Sequence, residues 1–176
     1  MDRSADSSTA SASTAAPFVT SVRVRYAETD AAGVVYYANY LAYFEVARVE
    51  WLRALGCPVR EAEARGVHLP VVEARVRYLL PARLDDLLEI HVRPHDVKRA
   101  SFSFDYEVRR GDELLARGYT RHAAVERETL RPLPVPAWLH DLFRLAQRDT
   151  GPQPAAEPES AAEPRAAQPA DESDRR

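Results

Sequence analysis

The chain has little with which to cross-link itself, hold a metal or cradle a nucleotide. Its 176 residues include one cysteine, Cys57, so no internal disulfide and no thiolate metal site can be built. A lone cysteine fits a reducing compartment, and a cytoplasmic location is expected. The six glycines are Gly33, Gly56, Gly66, Gly111, Gly118 and Gly151, and none brackets a serine. That excludes the Gly-x-Ser-x-Gly nucleophile elbow, and neither a P-loop nor a dinucleotide fingerprint is present. His91 and His95 stand four apart, but Pro94 and strand-like neighbours prevent a helical ligand pair. No metal and no cofactor are expected.

An excess of one charge is also missing. The 24 basic residues are dispersed among 27 acidic ones, for a net charge of −3, so no nucleic-acid or membrane patch is expected. The segment from Met1 to Pro17 is rich in Ser, Ala and Thr and lacks the continuous apolar core of a signal peptide.

What is present fits one globular domain, with 45% apolar and 29% charged residues. Residues 1–17 and 147–176 carry no apolar periodicity. Such tails bury too little to offset their ordering entropy and are expected to be disordered, which leaves a domain over 18–146. Val22, Val24 and Tyr26 alternate with polar residues as a half-buried strand. A helix follows from about Tyr40 to Leu55, with apolar residues at Tyr40, Phe44, Ala47, Trp51 and Leu55, Asn39 as its N-cap and Gly56 as its C-cap. The period then returns to two over Val72 to Leu80, Leu88 to Val92, Phe102 to Val108 and Glu113 to Glu126. One long helix among five antiparallel strands predicts an α+β layer arrangement.

The informative stretch is Tyr26-Ala-Glu-Thr-Asp30-Ala-Ala-Gly33-Val-Val-Tyr36-Tyr37-Ala-Asn-Tyr40. It sets one carboxylate, Asp30, on a turn beside a helix start, where the first N–H groups lack intrahelical partners and carry the positive end of the helix dipole. An acyl carbonyl placed there is polarised, and the carboxylate opposite can attack it or activate water. The plainer alternative is that Asp30 only hydrogen-bonds nearby backbone.

The pattern Tyr26-x-x-Thr29-Asp30-x-x-Gly33-x-Val35-Tyr36-Tyr37-x-x-Tyr40, followed by Phe44-Glu45-x-x-Arg48, resembles the signature of hot-dog-fold acyl-CoA thioesterases. It is similar to that of 4-hydroxybenzoyl-CoA thioesterase and the Tol-Pal-associated thioesterases. The likeness continues through Arg75-Val-Arg-Tyr78-Leu-Leu-Pro81-Ala-Arg83-Leu-Asp85-Asp86 and covers roughly residues 19 to 140.

The resemblance implies a five-stranded antiparallel sheet wrapped around the long helix, and a homo-oligomer, dimer or tetramer. It implies hydrolysis of an acyl-CoA thioester to a free acid and coenzyme A. Asp30 would act as nucleophile or general base, and the backbone N–H of Tyr37 would hold the acyl oxygen. Tol-Pal-associated members commonly carry His where this chain has Tyr37, so no imidazole serves at that point. Tyr26 either lines the acyl pocket or packs as a strand aromatic, and Gly33 permits a tight turn. Lys98 and Arg99, between two strands, are candidates for the phosphates of coenzyme A, with Arg83 a weaker one, or are a solvated hairpin tip. The competing functions are an acyl-carrier-protein thioesterase and a non-catalytic acyl-CoA-binding module.

Overall fold

Runs of alternating apolar residues become strands where a neighbouring run offers a pairing partner. The computed structural model describes residues 16–148, the last two by backbone alone. The expected tails lie almost wholly outside the described residues. In chain order the elements are β1 (Phe18–Arg23), α1 (Asn39–Ala54), α2 (Val59–Ala64), β2 (Val67–His68), β3 (Val71–Tyr78), β4 (Leu87–His95), β5 (Ser101–Arg110), β6 (Glu113–Ala123), β7 (Val125–Glu126) and α3 (Ala137–Arg148). Five strands form one antiparallel sheet in the order β1-β4-β5-β6-β3, and β2 pairs with β7. The expected α+β arrangement of five strands and one long helix is what the chain adopts.

α1 lies across one face of the sheet and buries Tyr40, Tyr43, Phe44, Ala47, Trp51 and Leu52. Phe44 stacks on Tyr106 with ring centres 4.4 Å apart, and Trp51 meets Phe104 edge-on at 5.1 Å. Leu88, Ile90, Val92 and Val108 complete the floor, all fully buried. Side chains of this size each contribute about 1.5–3 kcal/mol on burial. Gly56 ends the helix, its N–H donating to the Arg53 carbonyl while Cys57 N–H donates to that of Leu52.

Four local expectations change. β1 stops at Arg23, and Tyr26 stands in a 3-10 turn, 81% exposed, because the Glu28 carboxylate captures Arg25 N–H and turns the chain out of the sheet. Asn39 is the first residue of α1 instead of its cap, and its side-chain amide donates to the Glu28 carbonyl. The last strand breaks at Ala124, whose N–H turns to the Ala100 carbonyl, and the chain continues as β7. β3 is an edge strand that α1 reaches at its start, where Tyr40 meets Tyr78 edge-on at 5.1 Å, and Val72, Ala74 and Tyr78 stay exposed where a buried face was expected. α3 was not anticipated. Trp138, Leu139, Leu142, Phe143 and Ala146 repeat at helical spacing, and Phe143 packs 5.2–5.6 Å from Trp51, Phe102 and Phe104. The helix runs to Arg148, past the expected domain end at 146.

A directional hydrogen-bond chain crosses this core. The Leu69 carbonyl can only accept, so His122 Nδ1 carries the proton at 3.1 Å and Nε2 accepts from the Thr120 hydroxyl at 3.0 Å. Thr120 Oγ1 in turn accepts from Tyr106 O–H at 2.9 Å. Burial and the neighbouring Arg48 charge push the His122 pKa down from 6.5 to about 4. The folded protein thus keeps this imidazole neutral while the unfolded chain protonates it. Stability from this group is complete above pH 6.5 and is lost as pH falls from 6.5 to 4, by on the order of 3 kcal/mol. Urea unfolding at pH 7.5 and 4.5 should show that decline, and His122→Gln should flatten it.

Gly118 on β6 lies beneath Phe44, where an added Cβ would sit 2.2 Å from the ring. The ring is held against Tyr106 and has nowhere to retreat. Gly118→Ala should therefore destabilise by at least about 1–3 kcal/mol, read as a lower urea midpoint with an unchanged slope.

Candidate active site

The segment between β1 and α1 folds back on itself as a miniature hairpin. Thr29 and Val35 form an antiparallel bridge, Asp30 N–H donates to the Val34 carbonyl at 2.9 Å, and Gly33 N–H donates to the Asp30 carbonyl at 2.9 Å. Gly33 closes the turn at φ +70°, a left-handed conformation that L side chains resist. Asp30 Oδ1 accepts Ala32 N–H at 2.8 Å, which fixes the carboxylate and leaves Oδ2 without a protein donor among the described residues. Asp30 is exposed, so this second oxygen faces solvent. Thr29 steadies the approach, its hydroxyl donating to the Tyr26 carbonyl at 2.9 Å.

The hairpin leads directly into the N-terminus of α1. Tyr36 O accepts Asn39 N–H at 2.9 Å, so this carbonyl points into the first turn. A trans peptide is planar, and the N–H of Tyr37 shares that plane on the opposite side. It therefore points out of the helix end, and no hydrogen bond engages it among the described residues. On the next peptide, Tyr78 O–H from β3 donates to the Tyr37 carbonyl at 2.9 Å, which orients Ala38 N–H. Two free amides at a helix start make a pocket of positive potential beside the Asp30 hairpin. The Tyr37 ring is 60% exposed and leans on Tyr36 with ring centres 4.4 Å apart, away from this backbone role.

Glu28, two residues before Asp30, was passed over in the sequence and lies at the junction of these parts. It is 7% exposed. Oε2 accepts Arg25 N–H at 2.9 Å and Tyr43 O–H at 3.0 Å, and Oε1 accepts the Arg25 guanidinium. Its carbonyl accepts Tyr36 N–H at 2.8 Å and the Asn39 side chain at 2.7 Å. Burial penalises the charge, but the bonds from Arg25 and Tyr43 outweigh it and hold the carboxyl below its ordinary pKa. Burial first, then the bond to Glu28, pushes the Tyr43 phenol well up. A carboxylate inside an amphipathic motif has no sequence signature, and neither does the tyrosine that meets it 15 residues later.

The structure sets Asp30 and Gly33 in the hairpin that leads into the Tyr37 N–H, with the exposed ring of Tyr26 in the turn before it. It does not bring Lys98 and Arg99 there. The hairpin packs at the Leu87 end of β4, where Val24 N–H meets the Asp86 carbonyl. Lys98 and Arg99 lie beyond His95 at the other end, roughly 25 Å along the strand. Lys98 is also paired with Asp96 at 2.9 Å. The cation that does reach the hairpin is Arg83, whose Nη1 stands 3.4 Å from the Gly33 carbonyl.

Known proteins share this fold. The model of the thioesterase-like superfamily matches residues 24–143, and the chain belongs to that superfamily. It is 35% identical over 116 residues to the acyl-CoA thioesterase YbgC of Haemophilus influenzae, an alignment spanning 65% of this chain and 85% of that protein. It is 32% identical over 124 residues to the 1,4-dihydroxy-2-naphthoyl-CoA hydrolase of Synechococcus elongatus, covering 69% and 91%. The crystal structure of a 1,4-dihydroxy-2-naphthoyl-CoA thioesterase from Synechocystis superposes with a TM-score of 0.67 at 27% identity, covering 72% of this chain and 95% of that one. The resemblance to hot-dog acyl-CoA thioesterases is thereby borne out.

The Tyr78 contact gives a direct check on the amide geometry. Tyr78→Phe removes one exposed hydrogen bond and should cost about 1 kcal/mol or less in unfolding free energy. The chemical shift of the Ala38 amide, followed by NMR, should nonetheless move, because the carbonyl of its peptide loses its hydrogen bond.

Proposed function

We propose that this protein hydrolyses acyl-CoA thioesters to a free carboxylic acid and coenzyme A. The observation that carries the reading is the pairing of a half-committed Asp30 carboxylate with an outward-pointing Tyr37 N–H at the start of α1. In this reading the thioester carbonyl oxygen takes the hydrogen bond from Tyr37 N–H, which stabilises the negative charge that develops there. Asp30 Oδ2 then either attacks the carbonyl carbon, expelling the coenzyme A thiolate and leaving an anhydride for water to cleave, or removes a proton from the attacking water. Gly33 and the Tyr26 ring shape the entrance. The names of these three relatives, each a hydrolase of a coenzyme A thioester, favour coenzyme A over a carrier protein as the handle.

The same reading takes the protein to be cytoplasmic and a homo-oligomer. The support for the oligomer is β3, a sheet edge with no strand on its outer side among the described residues and with Val72 and Tyr78 about half exposed. Joining two such edges covers those side chains and satisfies the free backbone groups. A tetramer would add a second contact of the same dimer.

Asp30→Asn separates chemistry from folding, because the amide oxygen still accepts Ala32 N–H. Coenzyme A release from short, medium, long and aromatic acyl-CoAs should fall by at least about 100-fold, with thermal stability retained. A variant as active as the wild type would remove Asp30 from the reaction. Wild type that binds these thioesters without cleaving any would make the protein a binding module.

A further inference from the structure

We propose that Glu28 is a positioning residue for the reaction: its buried carboxylate and its carbonyl clamp the Asp30 hairpin to α1, so that one side chain sets both the carboxylate and the Tyr37 amide. The inference rests on the thioesterase reading above and adds a residue that takes no part in bond making.

Six hydrogen bonds converge on this residue from four places in the chain. Arg25 N–H and guanidinium hold the carboxylate from the turn before the hairpin, and Tyr43 O–H holds it from the second turn of α1. Tyr36 N–H and Asn39 Nδ2 hold the carbonyl from the hairpin's exit and from the first residue of α1. Asp30 is two residues downstream of this knot, and Tyr37 is one residue past Tyr36. A shift of Glu28 therefore moves the two halves of the site relative to one another, while the sheet, held by its own ladder, stays in place.

The charge itself matters to the clamp. A carboxylate offers both oxygens as acceptors, which is what the four donor groups of Arg25 and Tyr43 require. A glutamine in its place keeps the volume but turns one acceptor into an NH2 donor facing donors. Tyr43→Phe removes one bond and leaves the ring packing intact.

The test combines steady-state kinetics on acyl-CoAs with hydrogen exchange over residues 29–38 in Glu28→Gln, Tyr43→Phe and the double variant. For Glu28→Gln, kcat should fall roughly 10- to 100-fold with KM changed by less than about threefold, since misplacement costs the chemical step rather than binding. Exchange over 29–38 should quicken while protection in β4 and β5 is kept. Tyr43→Phe should shift both readouts in the same direction, and the double variant should be no worse than Glu28→Gln because both act through one contact. Unchanged kcat, or unchanged exchange over 29–38, overturns the proposal. If Glu28→Gln does not fold, Tyr43→Phe decides by the same two criteria. If wild type cleaves no thioester, the functional reading fails on its own, and exchange still reports whether Glu28 holds the hairpin.

Discussion

The depth at which α1 seats on the sheet controls the rest of the molecule, and the ring of Phe44 sets it. That ring stacks on Tyr106 at 4.4 Å and occupies the space a side chain at position 118 would need. A glycine on β6 is thus what lets a phenylalanine one turn into the helix press against the strand. Tyr40 lies one turn before Phe44 on the same buried face, and the free amides of Tyr37 and Ala38 follow from where Tyr40 is held. Because a helix transmits displacement along its axis, packing in the middle of the domain reaches the end where the proposed chemistry occurs.

Two buried polar networks reinforce that seating, and they hold opposite protonation states. At the start of α1, Glu28 is kept charged by Arg25 and Tyr43 against the cost of burial. At the end of the sheet where β6 closes, His122 is kept neutral by burial and the nearby Arg48. Each network leaves its polar atoms satisfied, which is the condition under which buried polar groups specify a structure instead of weakening it. They also respond to acid in separate windows. The His122 contribution declines between pH 6.5 and 4, whereas the Glu28 contribution is lost only as pH falls below the ordinary carboxylate range.

The sheet and the long helix were legible because their signals are local. Leu88, Ile90 and Val92, or Phe102, Phe104 and Tyr106, bury alternate positions whatever the neighbouring strand is. β3 shows the limit of that signal: its alternation is the same, but edge position decides exposure, and position in a sheet is not written in one strand. Asp30 and Gly33 were legible as a turn because the hairpin closes within six residues. Glu28 was not, because its partners at 25, 36, 39 and 43 belong to three different elements, and only folding brings them to one carboxylate. α3 was readable from its apolar spacing after Pro136 and was lost to the charged residues interspersed in it.

The placement of Lys98 and Arg99 links the proposed chemistry to the proposed assembly. Within one chain they lie at the end of the sheet opposite Asp30, since β4 separates them from the hairpin along its full length. Twofold pairing of two β3 edges would be antiparallel and would reverse that relation. Tyr78, which touches the Tyr37 carbonyl, ends β3 at the site, while Val71 begins β3 opposite His122, at the end where Ser101 opens β5. Setting Tyr78 of one copy beside Val71 of the other brings the cation-bearing end of one sheet alongside the Asp30 end of its partner. In such a dimer the basic hairpin stands three strands away from the partner's site, roughly 15 Å in the pairing direction. In such a dimer, any contact of Lys98 and Arg99 with the phosphates of coenzyme A would be made to substrate bound at the partner's site.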